Sequence, residues 1–231
     1  MRILITIFIG CLVSLAWAGE PVVTLMYFER PPYMTLDPDG RLAGLVGEPV
    51  EKAVTLAGLR VVREEAPAAR QLYLMQRSTR PLCGIGWFRT PEREQWARFS
   101  LPLYTDHPYQ LVSRFSPPYT LAELLENGGT LLVQHGYAYG EPVDSLIRRH
   151  EPQVTDVTVP VTTIMNMLRH GRADMALMAF EEVQALLSPL PEGWIAATPE
   201  DMPPGLDRHL MCNQAVSDDW IRRFNAGLME D

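Results

Sequence analysis

The strictest constraint on this chain is an alternation of extended and helical patterns that starts at Val22. Residues 22–28 (VVTLMYF) are rich in strand formers and read as a buried strand, ending in a rigid extended loop at Glu29-Arg30-Pro31-Pro32-Tyr33. Gly44-Leu45-Val46 leads into a helix through Ala57, with Val46, Val50, Ala53, Val54 and Ala57 on one face, and Gly58 ends it. A strand over 59–63, a helix over 67–76 and a strand over 81–88 follow. Strand–helix–strand–helix–strand in this order predicts a parallel α/β unit. In open α/β sheets ligands sit outside the carboxyl ends of the strands, which here are Tyr27-Phe28 and residues 86–88.

A second series of the same kind begins after Pro117-Pro118, with the strand at 109–113 leading into it. Its elements are a helix over 121–126, a break at Asn127-Gly128-Gly129, a strand over 130–134, the loop 136–140 (GYAYG) and a helix through His150. A strand over 154–159 precedes a helix whose Val161, Ile164, Met165 and Leu168 share one face; Gly171 closes it. Strands at 175–179 and 194–197 flank a short helix over 181–187. A Pro-rich return over 202–206 leads to an apolar segment at 209–212, and Ser217 caps a last helix. No internal repeat or low-complexity run is present.

One stretch carries more chemistry than the rest. After the glycine-bearing strand that ends at Phe88 comes Thr90-Pro91-Glu92-Arg93. Thr90 suits a helix N-cap, Pro91 sits where a missing N–H costs nothing, and Glu92 complements the positive end of the helix dipole. Arg93 therefore projects from a first helical turn beside free backbone N–H groups, a place suited to holding a small anion. A surface salt bridge is the other use for an arginine there.

Composition sets the address. The chain opens Met-Arg, runs apolar from Ile3 to Trp17 and presents Ala16-Trp17-Ala18, the pattern of a secretory signal peptide cleaved after Ala18. Cys11 within this run offers a lipoprotein alternative, but cleavage there leaves an unusually short apolar segment. The apolar run is shorter than the roughly 20 residues that span a bilayer. Loss of Arg2 with the leader takes the net charge from −8 to −9. An acidic exported chain is a poor partner for nucleic acid or anionic lipid. Cys83 and Cys212 remain. In an oxidising compartment such a pair forms a disulfide, or else packs as two buried small hydrophobes.

Gly86, Thr90-Pro91-Glu92-Arg93 and Phe99-Ser100-Leu101-Pro102 with Tyr104 resemble the signature of the polar-amino-acid family of bacterial periplasmic solute-binding proteins. The resemblance covers residues 22 to 228 in order and spacing, and is specific only over 84–104. It implies a two-lobed α/β fold, each lobe a mostly parallel sheet flanked by helices. Lobe one would hold 19–108 and 209–231, lobe two 109–208, with two crossing segments between them. It also implies that Arg93 clamps a ligand carboxylate against the Gly86 backbone, and that Phe28, Arg30 and Tyr33 in the loop after the first strand lie over the ligand. Tyr33 packing the loop itself is the plainer alternative. From lobe two, Tyr137 in the loop at 136–140 and the residues after Met178, Glu181 among them, would close the site. In that fold the strands of Cys83 and Cys212 are neighbours, which puts the disulfide within reach and leaves two buried thiols as the equal alternative. The implied protein is a monomer without cofactor or metal that serves an ABC-type transporter permease or a membrane sensor.

Two positions depart from the family pattern. Where its α-amino-acid binders place a threonine, two residues after Gly86, this chain has Phe88; where they place the aspartate for the ligand's ammonium, it has Ala179. Glu181 and Glu182 lie close by, although nothing in the spacing requires either to substitute. With Arg93 kept and aromatics abundant, a carboxylate on an apolar body fits better than an ordinary amino acid. The five histidines show no ligand spacing, and nucleophile-elbow and phosphate-loop motifs are absent from the sequence. A dehydratase-like enzyme on the same fold, using Glu29, Glu181 or Glu182 as its acid, is the alternative function. Arg70 reads as structural.

Overall fold

The computed structural model describes residues 22–230. The leader, the cleavage site after Ala18 and Cys11 lie outside the described residues. The chain begins with β1 (Val23–Tyr27), a small hairpin of β2 (Thr35–Leu36) and β3 (Leu42–Ala43), α1 (Gly47–Leu56), β4 (Val61–Glu65), α2 (Ala68–Arg77) and β5 (Leu82–Phe88). The short helix α3 (Pro91–Glu94) and the strand β6 (Arg98–Thr105) follow. The second series is β7 (Gln110–Ser113), α4 (Leu121–Glu126), β8 (Leu131–Gln134), α5 (Val143–Arg149), β9 (Val154–Val157), α6 (Val161–Arg169), β10 (Met175–Met178), α7 (Phe180–Glu182) and β11 (Ile195–Ala197). Finally β12 (Asp207–Cys212) and α8 (Asp218–Met229) return to the first lobe.

Two five-stranded sheets result, in the orders β4-β1-β5-β12-β6 and β11-β7-β10-β8-β9. Each is parallel on the side made by strand–helix–strand units and antiparallel where the chain crosses back: β1 runs parallel to β4 and β5, whereas β12 runs antiparallel to β5 and β6. In the second sheet β8 is parallel to β9 and β10, and β7 is antiparallel to β10 and β11. The two crossings meet where the Asp106 N–H donates to the Leu206 carbonyl, 3.0 Å away.

The helices lie where their apolar stripes require. Val50 and Ala53 of α1 and Trp220 and Phe224 of α8 are buried in one core that also holds Val23 and Leu25 of β1. Val161, Ile164, Met165 and Leu168 of α6 pack on Val112, Ala176 and Met178 of the second sheet. Cys83 and Cys212, opposite each other on β5 and β12, form a disulfide with their Cα atoms 4.0 Å apart. The bond closes a span of 129 residues that contains the whole second series. Native disulfides contribute typically about 2–4 kcal/mol, chiefly by restricting the unfolded chain. Among the described residues no helix is long and apolar enough to cross a membrane.

Three local expectations are corrected. The strand expected over 59–63 is Val61–Glu65, and Leu59 is buried in the turn before it. This strand lies at the sheet edge, where charged side chains are tolerated; Arg63 grips Glu51 of α1 at 2.6 and 2.5 Å. The loop after β1 is not extended: Arg30 and Met34 exchange backbone hydrogen bonds of 2.8 and 3.0 Å, so the chain folds back on itself. The strand expected over 209–212 starts at Asp207, which brings Arg208 into the sheet.

Candidate functional site

The site is built at the carboxyl end of β5. Gly84 lies beneath a buried hydrogen bond from Trp87 Nε1 to Gln71 Oε1 (3.0 Å), and a Cβ there would collide with both partners. Gly86 has a φ of +79°, which favours glycine. The pairing of β5 with β12 slips at this point, between His209 and Leu210. Past Phe88 the chain turns into α3 as its sequence demands: the Thr90 hydroxyl accepts from the Arg93 N–H at 3.3 Å and Pro91 occupies the first turn.

Arg93 points back over this turn. Its Nη1 donates to the Phe88 carbonyl at 2.8 Å and its guanidinium lies 4.8 Å from the centre of the Trp87 ring. Among the described residues no carboxylate pairs with it. Burial therefore pulls its pKa below the ordinary arginine value, with Glu92 offsetting part of the effect. It remains a cation at neutral pH.

A cavity of about 50 Å³ lies beside Arg93, room for roughly three or four waters. Phe28, Gly86, Trp87 and Phe88 of the first lobe line it, facing Gly136 and Tyr137 of the second. Arg30 and Arg208 complete the lining along with Ile85, Ala68 and Ala138. Arg93, Phe88 and Tyr137 also line a larger cleft of about 730 Å³ that opens outward between the lobes.

The other two arginines are neutralised in place. Arg30 grips Glu182 with Nε and Nη2 at 2.7 and 2.8 Å, and its guanidinium lies 4.8 Å from the ring centre of Tyr33 and 4.5 Å from that of Tyr137. Burial opposes its charge, yet Glu182 holds its pKa well above the ordinary value. Arg208 grips Asp106 with Nε and Nη2, both at 2.6 Å, and gives Nη1 to the Gly86 carbonyl at 3.0 Å. Its guanidinium lies 4.0 Å from the Tyr33 ring centre, so that ring is bracketed by two cations.

Tyr33 in turn donates its hydroxyl proton to Glu181 at 2.6 Å. Glu181 also accepts from the Tyr104 hydroxyl (3.0 Å) and the His107 backbone N–H (2.9 Å), and it contacts His107 Nδ1 at 3.0 Å. Burial works to raise the Glu181 pKa, but the bonds from Tyr33 and then His107 hold it below the ordinary carboxylate value. Burial and the bond to Glu181 push the Tyr104 hydroxyl up to about 12.

Of the residues singled out from sequence, Arg93, Gly86, Phe88, Phe28, Arg30 and Tyr137 meet at the cavity. Tyr33 and Glu181 do not line it; they bond each other behind it, joining the lobes. Arg70 is exposed on α2. Tyr139 anchors its loop, accepting from the Gln134 N–H at 2.8 Å, rather than lining the cavity. Sequence reasoning missed Arg208 and Asp106. The available signal was an acid and an arginine, each next to an apolar strand at a crossing between the lobes.

No family model matches the sequence, and no curated protein matches it. Solved structures do. The arginine-, lysine-, histidine-binding protein ArtJ from the thermophilic bacterium Geobacillus stearothermophilus aligns with a TM-score of 0.70 at 17% identity, over 90% of this chain and 88% of that one. An ancestral arginine-binding protein bound to arginine aligns with a TM-score of 0.69 at 16% identity, over 90% of each chain. The truncated, arginine-bound form of the T. maritima protein ArgBP gives 0.67 at 17% identity, over 90% of this chain and 94% of that one. The class is thereby defined: the chain has the two-lobed α/β fold of periplasmic binding proteins. The substrate binding protein of an amino acid ABC transporter shares this fold as well, with a TM-score of 0.66 at 15% identity over 90% of this chain and 92% of that one.

Proposed function

We propose that the chain is a solute-binding protein, exported to the periplasm after cleavage at Ala18. It closes two lobes, 19–108 with 209–231 and 109–208, on a small carboxylate-bearing or amino-acid-like ligand. It acts as a monomer without cofactor and reports occupancy to a transporter permease or a membrane sensor. The observation that carries this reading is Arg93: a half-buried guanidinium without a carboxylate partner among the described residues, stacked on Trp87 at the mouth of an aromatic cavity between the lobes. Burying an unpaired charge is costly, and a ligand anion is the group that offsets the cost. The arginine-binding proteins of the same fold support a binding role.

The enzymatic alternative asks for a protonated acid in the cleft. Glu181 is bound by Tyr33, Tyr104 and His107 in ways that favour its carboxylate, the wrong state for a general acid near neutral pH. Thermal unfolding against a panel of amino acids, aromatic acids and dicarboxylates tests the binding reading, with Arg93→Ala alongside. A carboxylate that raises the melting temperature of the parent but not of Arg93→Ala is the expected outcome. Equal binding by parent and variant removes Arg93 from the site, and turnover of the ligand would favour the enzyme.

A further inference from the structure

Charge around the cavity is distributed in a way that narrows the ligand beyond a carboxylate bearer. The lining presents three guanidinium-bearing side chains, Arg30, Arg93 and Arg208, and among the described residues no acid. The nearby acids are turned away and occupied. Both oxygens of Glu182 accept from Arg30, both of Asp106 accept from Arg208, and Glu181 is shared by Tyr33, Tyr104 and His107. An ammonium entering here would meet a cationic lining. To gain an acidic partner it would have to break a bidentate pair and strand a buried guanidinium.

Among the described residues the outer cleft is lined by four acids, each exposed or already engaged: Glu141 pairs with Arg148 at 2.8 Å and Asp156 meets His135 at 3.3 Å, both at the surface. Glu92, the acid next to Arg93, is exposed and screened by water. Asp144 is committed to the backbone N–H groups of Tyr139 and Gly140 at 2.9 and 3.1 Å. The remaining walls of the cavity are apolar, with Phe28, Ile85, Trp87, Phe88 and Tyr137 foremost. Because Arg93 borders the small cavity and the larger cleft alike, a carboxylate held there can extend an apolar body from one into the other.

We propose that the ligand is a monocarboxylate on an uncharged apolar body, without the α-ammonium group of an amino acid. This rests on the solute-binding reading and is separable from it. The test is calorimetric titration of the purified protein with matched pairs that differ only in the ammonium: 3-phenylpropionate against L-phenylalanine, 4-methylpentanoate against L-leucine, and indole-3-propionate against L-tryptophan. L-arginine and Arg93→Gln are run alongside. In at least one pair the ammonium-free acid binds at least about 30-fold more tightly than its amino acid, and Arg93→Gln loses that binding. An amino acid that binds as tightly as the best of the ammonium-free acids, or L-arginine binding above all of them, overturns this inference. If that binding also needs Arg93, the solute-binding reading stands. Absence of binding by every ammonium-free acid overturns the inference as well and leaves the broader reading to its own thermal screen.

Discussion

Three arginines meet at one cavity in two different conditions. Arg208 and Arg30 each hold a carboxylate in a bidentate grip, at 2.6 Å twice for Arg208 and at 2.7 and 2.8 Å for Arg30. Among the described residues the Arg93 guanidinium has only the Phe88 carbonyl and a ring face. The direction of the pKa displacement follows: upward for the two paired groups, downward for Arg93, where burial dominates. The paired arginines belong to the frame that joins strands and lobes. The unpaired one carries a partly buried charge that an anion would offset. Substitution at each position can break this contrast.

The largest effect is expected at Arg208, whose side chain is 6% exposed beside an Asp106 side chain at 1%. Arg208→Ala leaves a buried carboxylate without its cation, a loss of about 3–5 kcal/mol in urea unfolding. A loss below about 1 kcal/mol would mean that water reaches Asp106 easily, and the pair would no longer count as frame. Arg30→Ala comes next. Its Glu182 lies on the other lobe, so the strain is relieved by parting the lobes instead of unfolding either one. A stability loss of about 1–3 kcal/mol is expected, together with a larger radius of gyration in small-angle scattering. An unchanged radius would show that the lobes do not depend on this grip.

A smaller effect is expected from acid. The Glu181 pKa is depressed in the folded protein, so its contribution is fully present above the ordinary carboxylate range and is lost as pH falls through the depressed folded value. Asp106 works the other way, because burial raises its pKa despite Arg208, and it makes the net slope shallower. Glu181→Gln should therefore flatten the fall of melting temperature between pH 5 and pH 3. An identical slope in the variant would show that the Tyr33 and His107 bonds do not favour the ionised form.

How much of this was legible in the sequence differs between the frame and the site. The order of strands and helices follows from periodicity, and the helix start at Thr90-Pro91 follows from local capping chemistry, because each signal lies within a few residues of its consequence. The place of Arg93 on that first turn was legible for the same reason. The partnerships were not. Tyr33 with Glu181 spans 148 residues, Arg30 with Glu182 spans 152 and Arg208 with Asp106 spans 102; no local pattern relates their members. The edge strand at Val61–Glu65 was misplaced because its charged half breaks the apolar run that announces a buried strand. The acids near Ala179 were recognised as candidates to meet a ligand. Only the fold brings Arg30 and Tyr33 across to engage them first.

The smallest stability effect, and the most telling one, is expected at Arg93. Its guanidinium is partly desolvated without a compensating acid among the described residues, so removing it forfeits one hydrogen bond to the Phe88 carbonyl and relieves a burial cost of the same order. Arg93→Met keeps the aliphatic contact with Trp87 and should leave unfolding free energy within about 0.5 kcal/mol of the parent, on either side. Ligand affinity should fall all the same, by about 30-fold or more, because the lost charge acts only when an anion is present. That separation of stability from binding is what a site residue, unlike a frame residue, must show. A fall in stability approaching that of Arg208→Ala would place Arg93 in the frame with the other two and erase the distinction on which the binding assignment depends.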